Sequence, residues 1–149
     1  MIRFTNKHLV FWLPAVLVII ADQLIKAVIA SSLSLGQSIK LLPFLSITRI
    51  HNKGIAFGLL RELQARWILV SIALLVCIIL ALQYSKMKDL REILLIGLIV
   101  GGALGNVIDR VFLGYVIDYV SISIWPAFNI ADSAISISVV LLIFFSLKK

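Results

Sequence analysis

Apolar residues fall into four long runs, over 9–30, 67–84, 93–108 and 130–147, separated by more polar stretches. A helix needs about 20 mainly apolar residues to cross a bilayer, so each run predicts one span. The first contains Pro14, which a membrane helix tolerates because neighbours satisfy the freed carbonyl. The second carries no charge and is bounded by Trp67 and Tyr84, residues suited to the two interfaces. It reads as scaffold. The third ends in GLIVGGALGN, where Gly97, Gly101 and Gly105 recur every four residues and let another helix approach closely.

The intervening stretches are patterned differently. The 31–66 loop is too polar to cross. Residues 37–50 alternate loosely and are rich in Ile, Leu, Ser and Thr, which predicts short strands. In FLSITRI, Leu45, Ile47 and Arg49 share one face and Ser46, Thr48 and Ile50 the other. HNKGIAFG follows, with Asn52 as an amide donor and acceptor and Gly54 and Gly58 permitting turns. A short amphipathic surface helix is predicted over 59–66. The 85–92 loop is short and charged. In the 109–129 loop, GYVIDYVSISI alternates with period two and predicts a strand around 116–124, broken by Trp125-Pro126. Asn129 or Asp132 suits the N-cap of the fourth span.

Composition agrees with a membrane protein. The 149 residues are 62% hydrophobic and 14% charged, against roughly 45–50% and about 25% in soluble domains. Mean hydropathy is +1.13. A single membrane domain over 1–149 is expected. The net charge of +7 would suggest nucleic acid in a soluble protein. Here the cations cluster beside apolar runs, so they report orientation, and no nucleic-acid partner is expected. Arg3 and Lys7 precede the first span, Lys86, Lys88 and Arg91 crowd the 85–92 loop, Lys148 and Lys149 follow the last span, and 113–128 has none. The 31–66 loop does carry Lys40, Arg49, Lys53, Arg61 and Arg66, so the bias is one of density. The positive-inside rule then puts both termini and the 85–92 loop in the cytoplasm, and the 31–66 and 109–129 loops outside. The N-terminal run imitates a signal peptide, but Asp22 and Lys26 interrupt it and no A-x-A site follows, so it is expected to stay as a span. The lone Cys77 excludes an internal disulfide. His8 and His51 have no partners at metal-ligand spacing, so no metal site is expected.

The chemistry concentrates in 101–133. That stretch holds Asp109, Asp118 and Asp132, three of the seven acidic residues, with Asn106, Arg110 and Asn129. Asp22 and Lys26 are four apart, on one helical face, and are read as a structural pair bordering the site. The predicted topology brings Asp22, Asn52, Asp118, Asn129 and Asp132 to one outer level, and polar groups at membrane depth mark functional sites by default. If the loop between Asp118 and Asp132 folds back, the two carboxylates share one proton. Such a pair activates water without metal, serine or cysteine. Asp109 and Arg110 suit a plainer role at the end of the third span, and Arg110 also suits a substrate backbone or a phosphate head group. A proton-coupled transporter would use the same acids as a relay. It should show repeat symmetry between its halves, yet only Asp22 among these acids lies early in the chain. A scaffold with helix-capping acids would tolerate Asn at both positions.

Five ordered blocks give the chain a resemblance to the lipoprotein signal peptidases (signal peptidase II): DQLIK from Asp22, HNKGIAFG from His51, GALGNVIDR from Gly102, GYVIDY from Gly114 and FNIADS from Phe128. The resemblance implies a four-helix bacterial inner-membrane protease with a small extracytoplasmic β-sheet cradle and a surface helix. It places the catalytic pair on Asp118 and Asp132. Asp22, Lys26, Asn52, Gly54, Asn106, Arg110 and Asn129 match further polar site positions. The implied substrate is a diacylglyceryl-modified prolipoprotein cut just before its lipidated cysteine, and globomycin-type inhibitors are expected to occupy the pair. Membrane lipids are the surroundings, no cofactor is implied, and a monomer is expected. The short loop between Asp118 and Asp132 departs from the family pattern and predicts a more open outer rim.

Overall fold

The computed structural model describes residues 2–54 and 63–148. Four helices carry the chain: α1 Ile2–Ser32, α2 Leu63–Gln83, α3 Leu90–Phe112 and α4 Ile130–Leu147. Each contains a stretch long and apolar enough to cross a membrane. They differ in what surrounds them. In α3, 67% of that stretch is buried, against 11–17% in the others. α3 is therefore the central post, and the other three turn residues such as Leu17, Leu75 and Val140 outwards, as lipid-facing helices do.

The glycines of α3 permit this. A Cβ on Gly101 would lie 2.5 Å from the Ala15 carbonyl oxygen of α1, and one on Gly105 would lie 2.8 Å from Asp22 Oδ2. Both are closer than real Cβ contacts, so any side chain would push α1 away. At the opposite end of the helices, Phe11, Cys77, Tyr84, Ile93, Ile96 and Val100 form a buried cluster. Phe11 stacks on Tyr84 with ring centroids 4.0 Å apart. Tyr84, expected to face the membrane interface, is turned inwards, and its hydroxyl lies 2.6 Å from His8 Nδ1.

The polar loops form one antiparallel sheet, β1 Ser38–Leu42, β2 Leu45–Asn52, β3 Val116–Ile122 and β4 Trp125–Phe128, in that spatial order. The β2–β3 pairing joins the two loops, with Ile50 opposite Asp118 and Asn52 opposite Val116. Val116 to Tyr119 are all buried, so Asp118 enters the site from an interior strand. Two expectations need amendment. The strand expected around 116–124 stops at Ile122, before Trp125-Pro126, and that dipeptide begins a further strand, β4. β4 is an edge strand pairing Val120 with Phe128 and Ile122 with Trp125, and an edge position tolerates a residue without N–H. Of the surface helix expected over 59–66, positions 59–62 lie outside the described residues, and 63–66 open α2.

Candidate active site

Asn129 is the centre of the site. It is fully buried and is the N-cap of α4 in a capping box: its side chain accepts from Asp132 N, and Asp132 accepts from Asn129 N. Asn and Asp favour these positions because they satisfy the free N–H groups at a helix start. Since Asn129 Oδ1 accepts the Asp132 amide at 2.9 Å, its Nδ2 must face the other way. There it donates to Asp118 Oδ1 at 2.8 Å and Asn106 Oδ1 at 3.1 Å. One residue thus donates to both carboxylates, by its side chain to Asp118 and by its backbone N–H to Asp132.

Two more amides are oriented just as strictly. Lys26 Nζ donates to Asn106 Oδ1 at 3.0 Å. An ammonium can only donate, so the other end of Asn106 is its NH2, which donates to Asp132 Oδ1 at 2.8 Å. Gly54 N donates to Asn52 Oδ1 at 2.8 Å, which leaves Asn52 Nδ2 to donate to Asp118 Oδ2 at 2.8 Å. Gly54 has φ +92°, and a side chain there would meet Leu69 and approach the Arg110 guanidinium. Only glycine takes that conformation easily.

Behind this layer lies an ionic one. Lys26, Asp22 and Asp109 are all buried. Lys26 Nζ is 2.6 Å from Asp22 and 3.0 Å from Asp109, so with Asn106 its three donors are used. Asp22 Oδ1 accepts from Ala131 N at 3.2 Å, and Asp109 Oδ2 accepts from Ile117 N at 3.1 Å. The pair therefore fixes the start of α4 and the strand that carries Asp118. Asp22 and Lys26 thus stand behind the Asp118–Asp132 layer, together with Asp109. Arg110 donates weakly to the Asn106 carbonyl at 3.4 Å. Its charge reaches Asp132 and Asp118, yet among the described residues it makes no ion pair within 4.0 Å.

Electrostatics separate Asp118 from a surface acid. Burial pushes its carboxyl up to about 6, the Asn52 hydrogen bond opposes that rise, and the nearby Asp132 charge adds to it. The protonated form is thus accessible near neutral pH. Burial also raises the Tyr119 phenol to about 12, so it stays a neutral acceptor for Ile130 N at 3.1 Å. Among the described residues no group of three His, Cys, Asp or Glu is placed to hold a metal ion. Two contributors were not singled out in the sequence. Gln23 donates to Asp109 Oδ1 at 2.9 Å and to the Gly105 carbonyl at 3.2 Å; its polarity within an apolar span was the available signal. Tyr119 gave none, since a tyrosine in an alternating strand is ordinary.

Four membrane-length helices, a sheet over one end and a carboxylate–amide network between them define a multi-pass membrane protein with a polar site at one end. The sequence model of signal peptidase II matches residues 14–148. The lipoprotein signal peptidase of Thermodesulfovibrio yellowstonii is 42% identical over 137 residues, covering 89% of this chain and 91% of the relative. That of Francisella tularensis subsp. novicida is 41% identical, covering 95% and 94%. A bacterial membrane enzyme solved by the in meso method at 1.9 Å resolution has a TM-score of 0.84 at 38% identity, covering 92% of both chains. The chain belongs to the signal peptidase II family, and it is an aspartic endopeptidase of that type.

Proposed function

We propose that this protein removes signal peptides from diacylglyceryl-modified prolipoproteins, cutting just before the lipidated cysteine, with Asp118 and Asp132 as the catalytic pair. The observation that carries this reading is that buried Asn129 donates to both carboxylates, through its side-chain NH2 to Asp118 and its backbone N–H to Asp132, and neither carboxylate has an ion-pair partner among the described residues. Carboxylates held by neutral donors keep the freedom to exchange protons.

In this mechanism Asp132, the less buried of the two, takes a proton from water as the oxygen adds to the scissile carbonyl. Asp118 gives its proton to the carbonyl oxygen. As the gem-diol collapses, Asp118 recovers that proton and the leaving amine takes the one on Asp132. The C–N bond breaks, and water is divided between the two products. Asn52, Asn106 and Asn129 hold the carboxylates in place, and Arg110 offers the cation for a substrate carbonyl or head group. The density of Lys and Arg supports cytoplasmic termini with the site towards the outer face. The bacterial inner membrane, a monomeric state and inhibition by globomycin-type compounds go with this reading.

The test is cleavage of a diacylglyceryl-modified lipobox peptide by purified protein, beside Asp118→Asn and Asp132→Asn. Cutting before the cysteine by wild type, and none by two folded variants, is the expected result. Normal cutting by either variant would remove the aspartate assignment. Inactive wild type on the lipidated peptide would remove the substrate.

A further inference from the structure

We propose that the two hairpin tips of the sheet, 42–44 and 123–125, insert together into the bilayer surface on the sheet's side and pin the sheet at a fixed depth. The tips are neighbours. Leu45 lies opposite Ile122, and Ser123 N donates to the Phe44 carbonyl at 3.1 Å. Their apolar side chains point outwards: Ile124 is 92% exposed, Trp125 67% and Phe44 58%, with Leu41 and Leu42 beside them. A water-facing turn of this composition is unusual, because turns favour Gly, Asn, Asp and Ser. Lys40 is the only charged residue over 36–48, and 119–131 has none.

What covers this apolar tip follows from its attachment. Ile124 stands six residues before Ile130, the first residue of α4, so at about 3.3 Å per residue it stays within about 20 Å of that span. The approach is closer than that limit. Trp125 and Phe128 share a groove of about 480 Å³ with Asp132, Ser136 and Ile137. Ile137 lies seven residues into α4, about 10 Å along its axis. The strand and the first two turns of this membrane helix therefore wall one groove, and the apolar tip stands beside the apolar surface that α4 presents to lipid. Tryptophan prefers this interface, and Lys40 has the reach to meet lipid phosphates from its edge. The lipid contact would hold one wall of the groove, and with it the approach to Asp132, at bilayer depth. It does not depend on the peptidase reading.

The test uses the full chain in vesicles of phosphatidylcholine and phosphatidylglycerol. Cys77 is replaced by Ala, Ile124→Cys is labelled with bimane, and Lys88→Cys in the charged loop serves as the water-exposed control. The expected result is several-fold stronger quenching at 124 than at 88 by lipids with a nitroxide high on the acyl chain, and the reverse with aqueous iodide. Iodide quenching at 124 equal to that at 88 overturns the proposal. Protection from both quenchers overturns it too, and a 124–124 cross-link would then assign the tip to a second copy of the chain. A second measurement leaves position 124 untouched. With Trp12→Phe and Trp67→Phe, the remaining Trp125 should be quenched by brominated lipids, and the absence of that quenching also overturns the proposal.

Discussion

Four aspartates converge near one end of the helices, yet they form two unlike pairs. Asp22 and Asp109 share Lys26. Asp118 and Asp132 share Asn129, with Asn52 and Asn106 on their outer oxygens. Both carboxylates bridge the Lys26 ammonium and each also accepts a backbone N–H from another element, so the first pair works as a clamp between α1, α3, β3 and α4. Neutral amides fix position and leave the proton free to move. The same residue type is thus held by a cation in one pair and by neutral amides in the other, and only the second suits the acid–base role proposed for Asp118 and Asp132. Asn106 touches both layers, accepting from Lys26 and donating to Asp132, and it keeps them in register.

The comparison breaks most sharply at the pair proposed as catalytic. Asp118→Asn or Asp132→Asn should lower kcat by about 10²–10⁴-fold, the usual contribution of a general acid or base, with the melting temperature in detergent changed little. A large fall in melting temperature at normal turnover would reverse the two roles. Lys26→Met should do the opposite to the clamp. It leaves two buried acids without a cation, which costs about 3–5 kcal/mol, and thermal melting should show that loss whatever the substrate. Adding Asp22→Leu and Asp109→Leu should recover part of it, because an apolar replacement of a whole buried ion group is often neutral.

Gly54→Ala is a smaller perturbation that bears on the proposed catalytic pair alone. The position has φ +92° and an added Cβ would meet Leu69, so the strain is about 1–3 kcal/mol. Relieving it moves Gly54 N away from Asn52 and frees that amide from Asp118. Turnover should fall more than stability, and comparing kcat with the melting temperature separates the two.

Much of this was legible in the sequence because it is local. Four apolar runs gave four helices, period-two alternation gave β3, and Asn129 and Asp132 stand at capping distance before an apolar run. The pairing of β2 with β3 was not legible, since it joins residues about 70 apart with no local signature. Nor was the allocation of Lys26 among partners: spacing gives Asp22 at i−4, but Asp109 arrives from another helix. The strand β4 after the break was not legible either, because a proline is tolerated on an edge strand and edge status is a property of the whole sheet.

The finest distinction between the pairs is in their response to pH. The Asp118 carboxyl rises from an ordinary 3.8 to about 6 in the fold, chiefly through burial. The folded state thus binds this proton more tightly than the unfolded chain does. Its contribution to stability is full below the unfolded value and is lost as pH climbs towards 6. Melting temperature should therefore decline over that window, and Asp118→Asn should flatten the slope. If Asp118 is the acid in catalysis, the alkaline limb of kcat/KM, which reports the free enzyme, should fall through the same region. Asn52→Leu removes a hydrogen bond that favours the ionised form, so it should move that limb upwards in pH. A downward move would mean that Asn52 stabilises the protonated rather than the ionised form of Asp118.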